Sequence, residues 1–599
     1  MLIISILLCI SLLSSVITSE PYNLSNYDYP KPTSETDDIY NIALMGTNDI
    51  HGAYFNATIQ MPDTPDQYYT SGGLQYLGKY IKIMRDTWQD RFAWFDAGDE
   101  FQGGLETKLT KGDLISNFFN TMNLTGATIG NHEWDYGQGY LNARGAAAKT
   151  FSYIVANVKR KGTNNYIFME NQIEEKIFKI GKINLGVVGL TTLETLSSTS
   201  GDLSNVTFVG YKDIIIKHAQ SLRDGGADAV LLLVHFGVEC PKQEVEDKYV
   251  LKMRTSQMTY KDCNEGDELA VVLKTLPEGT VDLVISGHTH ELIHQWIKGY
   301  PVISSKNNGK YTNIIYLNFK KEGDKYTLLK DQIQIEGPLP VCEKIFTKTL
   351  RCDSMSNEEI KKSGELVNFM FHEVLMEKEP TLQKVSEDGW KEYEAYVNKI
   401  VTTTNDKLSQ NFESEQPLGN IYTDFLIRVT GADVSILNPG SFRTEWNTGN
   451  ITAANIYAMS PFDNTIKSFQ LYGYQLKRLL YEIQSGSCSF YPTSGLKQVV
   501  DATPNKLIQV QLYDGLKEDE IINDKLYTIA SNSFLYLGGD DFDKVIKWYN
   551  PLNVKDYGDF TEGLINYLMT FTGIEVEKFI DKDNQRLRVK GKNLRAEIY

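Results

Sequence analysis

The sequence predicts an α/β protein with two large domains. Its 599 residues exceed what one hydrophobic core organises, and 41% hydrophobic with 23% charged residues is ordinary for a globular chain. From about residue 38 to 337, short apolar stretches alternate with amphipathic ones, and a second alternating region begins near residue 401. Buried strands that alternate with helices in this way are typical of α/β domains.

The elements of the first region follow from their apolar patterns. The stretch GGLQYLGKYIKIMRDTW at 72–88 has apolar residues three and four positions apart, which predicts a helix. Continuous apolar runs predict buried strands. These runs lie at 40–46, 91–96, 152–158, 183–190, 228–234 and 281–286.

The same patterns predict the domain organisation. Residues 38–337 are expected to form the first domain, 338–400 a helical linker with a hinge between about 380 and 405, and 401–590 the second domain. Within the linker, Ser356 and Glu359 form a potential capping box, and the helix should end before Pro380. A further helical stretch is expected at 389–401.

The N-terminus predicts export from the cell. Residues 1–19 form an apolar run that ends in small polar residues, which is typical of a secretory signal peptide, although an uncleaved anchor is the alternative. No other stretch is long and apolar enough to cross a bilayer, and the charged C-terminus is unlike a glycolipid-anchor signal. We therefore expect a secreted, extracellular protein without a stable membrane anchor.

The cysteines and glycosylation sequons agree with export. After removal of the signal peptide an odd number of cysteines is left, with Cys240–Cys263 and Cys342–Cys352 as plausible disulfides and Cys488 left over. Sequence alone does not fix this connectivity. Acceptor sequons for a glycoprotein occur at Asn23, Asn56, Asn123, Asn205 and Asn450.

The net charge limits the partners. A formal charge of −17 argues against a nucleic-acid polymer, because binding to a phosphate backbone needs clustered Lys and Arg. A small anionic ligand is compatible with this charge, since metal ions could supply local positive charge.

Polar side chains follow four of these predicted strands and a fifth, short strand predicted in GATIG at 126–130. In α/β domains ligands bind beyond the carboxyl ends of strands, so these side chains should converge on one crevice. The chain has only 8 histidines, and five of them stand in these positions. The polar residues are Asp49 and His51, Asp96 and Asp99, Asn131 and His132, His235, and His288 and His290.

This set predicts a dinuclear metal centre. Carboxylates, an amide and imidazoles together suit Zn, Mn or Fe(II) better than Ca, and seven ligands are too many for one tetrahedral ion. They suit two ions about 3.5–4 Å apart that share a carboxylate. We assign this shared position to Asp99 rather than Asp96 and expect His132 to act on substrate. The predicted ligands are Asp49, His51, Asp99, Asn131, His235, His288 and His290.

The remaining histidines have structural interpretations. His218 lies in a predicted amphipathic helix, and His372 in a predicted packing helix within NFMFHEVL. His294 lies close to the metal residues in sequence, and a supporting role beside the metal ligands is its alternative interpretation. Glu133 has no predicted role.

The motifs that carry these residues resemble a known family. TNDIHG, AGDEFQGG, GNHEWDYG, VHFG and GHTH resemble the five motifs of the calcineurin-like metallophosphoesterases. In the second half, PLGNIYTDFL, LNPGSFR, SPFDNT and SNSFLYLGGDDF resemble the 5'-nucleotidase and UDP-sugar hydrolase branch. The resemblance extends over about residues 40–590.

The resemblance implies the architecture and the distribution of ligands. It implies a four-layer metallophosphatase β-sandwich domain flanked by helices, followed by an α/β nucleotide-binding domain, with the active site between them. By motif position, one metal would be held by Asp49, His51, Asp99 and His290. The other would be held by Asp99, Asn131, His235 and His288.

The resemblance also implies the substrate contacts. Phe462 and Phe534 match the family's two aromatic residues that sandwich the base, and Asp540 matches a carboxylate that faces the ribose. Asn438, Gly440 and Arg443 match the loop that grips the nucleotide. One departure is that NFESEQPLGN, at 411–420, has Phe412 and Ser414 where family members usually carry arginine, which predicts weak affinity for AMP.

Together these features predict a secreted, metal-dependent 5'-nucleotidase that releases phosphate and a nucleoside. A hydroxide that bridges the two metals would be the nucleophile, while His132, oriented by Asp135, would stabilise charge on the phosphoryl group. Alternatives within the enzyme class are a nucleoside di/triphosphatase, a UDP-sugar hydrolase and a 2',3'-cyclic nucleotide phosphodiesterase. A non-catalytic secreted binding protein is the alternative from another class.

Overall fold

The computed structural model describes residues 21–590 apart from some short segments. These segments are 25–27, 35, 62–63, 104, 200, 241–248, 257–262, 392, 410–413, 463, 485–489, 503–504, 541, 543–544, 547–549 and 582–584. The predicted signal peptide, Phe412 and Cys488 therefore lie outside the described residues.

The first domain contains a nine-stranded sheet whose central strands run parallel. The strand Ile39–Thr47 pairs in parallel with Phe92–Asp96, and the next three strands continue in parallel. In spatial order the strands are Lys252–Arg254, Gln334–Pro340, Tyr311–Glu322, Ile39–Thr47, Phe92–Asp96, Gly126–Ala127, Ser152–Ile154 and Gln172–Ile173, with Lys325–Leu328 paired to Tyr311–Glu322.

A second sheet of six strands has a parallel centre of the same kind. Ile183–Thr191, Ala229–His235, Leu283–Ser286 and Tyr300–Ser305 are parallel neighbours. Two antiparallel strands, Glu175–Ile180 and Leu292–Ile297, form its edges. Because both faces of these central strands are buried, their sequences are continuous apolar runs rather than alternating ones.

The two sheets and the helices on their outer faces form four layers, with a hydrophobic core between each pair of neighbouring layers. One core lies between the two sheets and includes Leu44, Phe95 and Leu231. The outer cores bury the other face of each sheet under helices, as Leu77 and Leu222 illustrate. The helices are Leu74–Trp88, Asp113–Thr121 and Gln138–Ala147 on the first sheet, and Tyr211–Asp224 and Glu268–Thr275 on the second. The predicted helix–sheet–sheet–helix sandwich is confirmed.

One predicted strand is shorter than expected. The run at 152–158 forms the strand Ser152–Ile154, and Val158–Arg160 pairs instead with Val206–Phe208. Between them, Asn157 donates its side-chain amide to Thr191 O at 2.7 Å and accepts the Thr191 N–H at 2.9 Å. This side-chain pairing replaces the backbone ladder and turns the chain out of the sheet.

The linker at 338–400 differs from the prediction of a helical segment. The capping box is confirmed, since Ser356 and Glu359 exchange hydrogen bonds at the start of the helix Asn357–Lys362. The following stretch is the strand Leu366–Phe371, which pairs with Lys344–Phe346 and Tyr22–Asn23. Its burial alternates, as a strand requires, so the predicted packing helix at His372 is wrong.

Pro380 begins a helix instead of following one. Pro380 lies in the first turn of the helix Pro380–Trp390. A backbone N–H at this position has no partner within the helix, so the N–H that proline lacks is not needed there. A single helix at 389–401 is likewise not observed, because Glu394–Val397 forms one turn and Ile400–Thr404 is a strand. The location of the hinge stays a prediction.

The second domain is built on a five-stranded mixed sheet. Its strands, in spatial order, are Thr493–Ser494, Val434–Ile436, Leu526–Asn532, Thr465–Tyr472 and Leu552–Asp559. A four-stranded sheet of Glu518–Asp519, Asn505–Tyr513, Leu496–Ala502 and Leu587–Lys590 lies beside it, and Ile400–Thr404 pairs with Gly449–Thr452. In the described part of this domain the α-helices are Pro417–Thr430, Ala453–Met459, Gly473–Gln484, Ser533–Tyr536 and Phe560–Leu568.

The two domains meet through a short helix of the first domain. Leu105, in the helix Leu105–Thr110, belongs to a core cluster otherwise formed by residues beyond 396, including Tyr457. On the same helix, Lys108 lies 3.2 Å from the carboxylate of Asp559. The helix Leu105–Thr110 therefore contributes both apolar and ionic contacts between the domains.

The disulfides agree with the pairing expected from sequence proximity. Cys240 bonds to Cys263, and Cys342 bonds to Cys352. In the described part of the chain, none of the helices combines the length and the apolar character needed to cross a bilayer.

Candidate active site

Two groups of metal-ligating side chains lie where the strands of both sheets end. Asp49, His51 and His290 place one ligand atom each within 4.8 Å of one another. Asp99, His235 and His288 form a second group with the same spacing. The structure thus brings together ligating residues from four of the five strand-end motifs that the sequence singled out.

Hydrogen bonds orient the imidazoles towards these two groups. His51 Nδ1 lies 2.7 Å from Gln102 O, and His235 Nδ1 lies 2.7 Å from Ala97 O. A carbonyl oxygen can only accept, so each Nδ1 carries the proton and each Nε2 offers its lone pair to the centre. Metal-ligating histidines are commonly held in this way through their second nitrogen.

Asp99 lies between the two groups. Its carboxylate is 3.0 Å from His235 Nε2 and 3.8 Å from His51 Nε2. Burial raises the pKa of Asp99, but the neighbouring imidazoles of His235 and His132 outweigh this and hold it well below the usual range. Asp96 points elsewhere, since it accepts hydrogen bonds from the Thr47 hydroxyl at 2.6 Å and from the Gly98 N–H at 2.9 Å. The geometry therefore favours Asp99 over Asp96 for a shared position.

The backbone at these residues is strained. Left-handed φ angles between 48° and 78° are found at Asp49, His51, Asp99, His288 and His290. Such angles are uncommon for residues other than glycine, and they concentrate at functional sites where surrounding structure enforces them. The strain directs side chains from tight loops into one small volume.

The surroundings of the Asn131 side chain indicate whether the site fits a metal. Its side chain is buried, and its Oδ1 atom has no hydrogen-bond partner in the described structure. A buried amide oxygen without a partner is costly, and a cation would satisfy it. The preceding Gly130 allows the close approach, because a Cβ there would lie 2.0 Å from Asp99 Oδ1. The residues present thus fit two divalent cations.

Glu133 has a role that the sequence did not predict. Its buried carboxylate accepts the backbone N–H groups of Gly130, Asp99 and Glu100 at 2.5, 2.8 and 2.7 Å. It therefore ties the loop that carries Asp99 to the loop that carries Asn131. The only sequence signal was its place inside the motif GNHEWD.

His132 forms a dyad with Asp135 beside the second group. His132 Nδ1 lies 2.6 Å from Asp135 Oδ2, and the His132 N–H donates to Asp99 Oδ1 at 3.0 Å. Burial lowers the pKa of His132, but the charges of Asp135 and Asp99 raise it to about 9. His132 is therefore suited to carry a positive charge at neutral pH, as its predicted role requires.

The two domains face each other across a cleft of about 620 Å³. This volume is within the range of about 300–1,000 Å³ that is typical of small-molecule sites. From the first domain the cleft is lined by Asp99, Asn131, His132, Asp135, His288 and His290. From the second domain the lining includes all six residues that the sequence assigned to substrate, namely Asn438, Gly440, Arg443, Phe462, Phe534 and Asp540. The other second-domain residues of the lining are Ser441, Asn464, Asn532, Leu537, Gly538 and Gly539.

Contacts within the second domain hold some of these groups in place. The Arg443 guanidinium lies 4.9 Å from the centre of the Phe462 ring. The ring of Phe534 lies against Gly539, where a Cβ would come within 2.4 Å of it. Asn438 donates its side-chain amide to Asp540 at 2.7 Å.

Ser414 lies apart from the cleft. It lines a separate small cavity with Glu415 and Arg586. The side chain of an arginine introduced at position 414 would begin in that cavity and not in the cleft. Such an arginine is therefore not expected to replace the arginine of the family motif.

Comparisons with known proteins agree with this two-domain arrangement. Residues 42–292 match the family model described as calcineurin-like phosphoesterase. Residues 399–547 match the model described as 5'-nucleotidase, C-terminal domain. The chain belongs to the 5'-nucleotidase family.

Members of the 5'-nucleotidase family are similar to the chain over most of its length. A 5'-nucleotidase-related protein of Glossina morsitans morsitans is 24% identical over 90% of this chain and 94% of its own length. The 5'-nucleotidase of Homo sapiens is 23% identical, covering 84% of each chain. The crystal structure of a 5'-nucleotidase precursor from Thermus thermophilus superposes with a TM-score of 0.67 at 19% identity, over 92% of this chain and 100% of that one.

This membership makes the protein a metal-dependent phosphoric ester hydrolase. The two groups around Asp49 and Asp99 are its candidate metal sites.

Proposed function

We propose that the protein is a secreted 5'-nucleotidase that hydrolyses nucleoside 5'-monophosphates to nucleoside and phosphate. One observation carries the proposal: the metal-ligating groups and the aromatic and cationic residues of the second domain line the same cleft. A nucleotide has the matching parts, namely an anionic phosphoryl group at one end and a flat base at the other.

The second domain supplies groups for the base and the sugar. Phe462 and Phe534 are proposed to stack on the base, which contributes about 1–3 kcal/mol per base and tolerates different bases. Asp540, held by Asn438, is a proposed acceptor for the ribose hydroxyls. Arg443 lies 4.9 Å from the centre of the Phe462 ring and lines the same cleft as His132. It is therefore proposed to bind the phosphate between base and metal site.

The first domain supplies groups for the phosphoryl transfer. Two divalent cations held by the seven predicted ligands would activate water and neutralise phosphoryl charge. His132 is proposed to donate a hydrogen bond from Nε2 to a phosphoryl oxygen or to the departing ester oxygen. Asp135 holds the His132 ring through Nδ1 and stabilises its positive charge.

The charges along the cleft favour monophosphates over di- and triphosphates. Apart from the metal ligands and His132, the charged residues in the described lining are Arg443, Asp135 and Asp540. One cation and two carboxylates attract a single phosphate poorly unless metals are bound, and they offer no partner for further phosphates. This distribution favours a 5'-nucleotidase over a nucleoside di/triphosphatase.

The proposal is tested by phosphate release from a substrate panel. Purified protein with added Zn²⁺ or Mn²⁺ should hydrolyse AMP, GMP, CMP and UMP with kcat/KM values above those for ADP, ATP, UDP-glucose and 2',3'-cyclic AMP. A preference for one of the latter group would assign the protein to the corresponding alternative activity. Nucleotide binding without hydrolysis of any panel member would support a binding protein instead.

A further inference from the structure

A surface segment on the rim of the cleft contacts several groups of the metal site. This segment, residues 192–199, follows the strand Ile183–Thr191 and contains the short helix Thr195–Ser198. Its start is fixed to the domain by Glu268, which accepts the hydroxyls of Thr192 and Tyr211 at 2.6 Å each. Tyr211 in turn accepts the Leu193 N–H at 2.6 Å. The segment is therefore anchored independently of the metal site.

The first contact is to a metal-ligating histidine. Glu194 Oε2 lies 2.8 Å from His288 Nε2. The carboxylate can accept only, so Nε2 of His288 donates its proton and Nδ1 is left with a lone pair. This hydrogen bond selects the tautomer that can bind a cation through Nδ1, next to Asp99 and His235.

The second contact is to the dyad. The Thr199 hydroxyl donates to Asp135 Oδ1 at 2.7 Å, while Asp135 Oδ2 faces His132 Nδ1. Thr199 Oγ1 also accepts the Gly201 N–H at 3.0 Å, which leaves its own proton for Asp135. Thr199, Asp135 and His132 thus form a directed chain of hydrogen bonds.

Two backbone contacts hold the segment against the turn that carries these residues. The Asn131 amide Nδ2 donates to Ser198 O at 3.5 Å, which turns its Oδ1 in the opposite direction. At Gly201 the chain approaches so closely that a Cβ would lie 1.9 Å from Trp134 O. The segment and the turn therefore pack as a unit.

We infer that Glu194 and Thr199 are positioning residues of the active site, Glu194 acting through the metal ligand His288 and Thr199 acting through the His132–Asp135 dyad. This inference rests on the proposed function for the role of the dyad. It goes further, because it assigns to one anchored segment two separable effects, one on metal affinity and one on turnover.

The effect of Glu194 is tested by metal affinity. Zn²⁺ binding to metal-free wild type, Glu194→Ala and the exposed control Glu170→Ala is measured by competition with a chromophoric chelator. Loss of a hydrogen-bonded partner of a metal-ligating histidine weakens binding about 10- to 100-fold. Glu194→Ala should therefore weaken one of two Zn²⁺ sites by about tenfold, while Glu170→Ala matches wild type. Equal Zn²⁺ affinities in all three proteins would overturn this half of the inference.

The effect of Thr199 is tested by turnover at saturating Zn²⁺. Thr199→Val should lower kcat about tenfold with little change in KM or Zn²⁺ affinity, and Thr199→Ser, which keeps the hydroxyl, should restore kcat. Thr448→Val, at an exposed position outside the sequons, is the matched control. Unchanged kcat in Thr199→Val, or equal losses in the valine and serine variants, would overturn this half.

The two proposals can fail separately. All variants are assayed with AMP and with p-nitrophenyl phosphate, a generic phosphoric ester. If wild type hydrolyses only the generic ester, the proposed nucleotidase function fails while the effects of Glu194 and Thr199 are still measured. If wild type hydrolyses AMP and neither variant shows its predicted effect, the inference about the segment fails on its own. Melting temperatures identify a variant that is merely unfolded, and in that case Glu194→Asp and Thr199→Ser give the decisive comparison.

Discussion

The Nε2 atoms of His51 and His290 lie only 2.9 Å apart, although each ring already has a partner on its Nδ1 atom. The carboxylate of Asp49 lies 3.3 Å from His290 Nε2 and 3.7 Å from His51 Nε2. Burial and the neighbouring His290 lower the pKa of His51 to about 3, so a proton is a poor occupant of this position. A divalent cation would satisfy the lone pair of His51 Nε2 and the carboxylate of Asp49.

Removal of metal should therefore affect both activity and stability. Dialysis against a chelator should abolish phosphate release and lower the melting temperature, because lone pairs and carboxylates are then left facing one another. Zn²⁺, Mn²⁺ or Co²⁺ should restore both, since a ligand that binds only the native state stabilises it. The measurements are elemental analysis, phosphate release and calorimetry on the same sample. Full activity in protein shown to be free of transition metal would contradict the dinuclear centre.

The sequence was informative about this centre because the signals are local. Each ligand follows a buried apolar strand within a few residues, as Asp49 does after Ile39–Thr47 and His235 does at the end of Ala229–His235. Glu133, Glu194 and Thr199 lacked such a signal. Their contacts join segments far apart in the chain, such as Glu194 with His288, and only the folded arrangement of loops brings them together.

The linker was mispredicted for a related reason. The run LVNFMF is short and apolar, so its period does not distinguish a helix from a strand. The partners that make it a strand are Lys344–Phe346 and, from the far N-terminus, Tyr22–Asn23. His372 then follows the strand and stacks on Tyr29 with ring centres 3.7 Å apart, while its Nε2 lies 3.0 Å from Glu336. Tertiary pairing decided between two locally acceptable structures.

The neighbours Asn131 and His132 should differ in their effects. His132→Ala should lower kcat by about 10²–10⁴ with metal content intact, as the loss of a group that acts on the transition state does. Asn131→Ala should instead weaken one metal site, because it removes the buried Oδ1 that fits a cation. Steady-state kinetics and elemental analysis of both variants are the measurements. Metal loss in His132→Ala with retention in Asn131→Ala would reverse the two assignments.

Asp353 should make stability fall in acid. Burial raises its pKa, but Lys306, whose Nζ lies 2.7 Å away, and Arg351 lower it to about 2. An unfolded aspartate has a pKa of about 3.9, so the folded state gains stability that is fully present above about pH 4 and is lost as the pH falls towards 2. The contribution is about 2 kcal/mol.

The measurement is the urea midpoint between pH 5 and 2.5 for wild type, Asp353→Asn and the exposed control Asp324→Asn. Asp353→Asn should unfold at lower urea at pH 5 and should depend less on pH than wild type. All three proteins are measured after removal of metal, so that metal release does not contribute to the comparison. Parallel curves for Asp353→Asn and wild type would show that this buried carboxylate does not contribute to acid unfolding.

Arg443 should carry much of the affinity for nucleotide. It is the only Lys or Arg among the described residues that line the cleft, and family members usually have a further arginine in the stretch at 411–420 that this chain lacks. A charged hydrogen bond to an anion contributes about 1.5–3 kcal/mol, so Arg443→Ala should lower kcat/KM for AMP about 10- to 100-fold. Arg443→Lys should recover part of the loss, because lysine keeps the charge without the planar fork.

Ser414→Arg should leave KM for AMP unchanged, since Ser414 lines a different cavity. Comparison with p-nitrophenyl phosphate separates two roles: an equal loss on both substrates indicates a phosphate contact, whereas a loss confined to AMP indicates that Arg443 mainly positions Phe462. If Arg443→Ala has no effect on either substrate, the second domain does not bind nucleotide in the proposed manner.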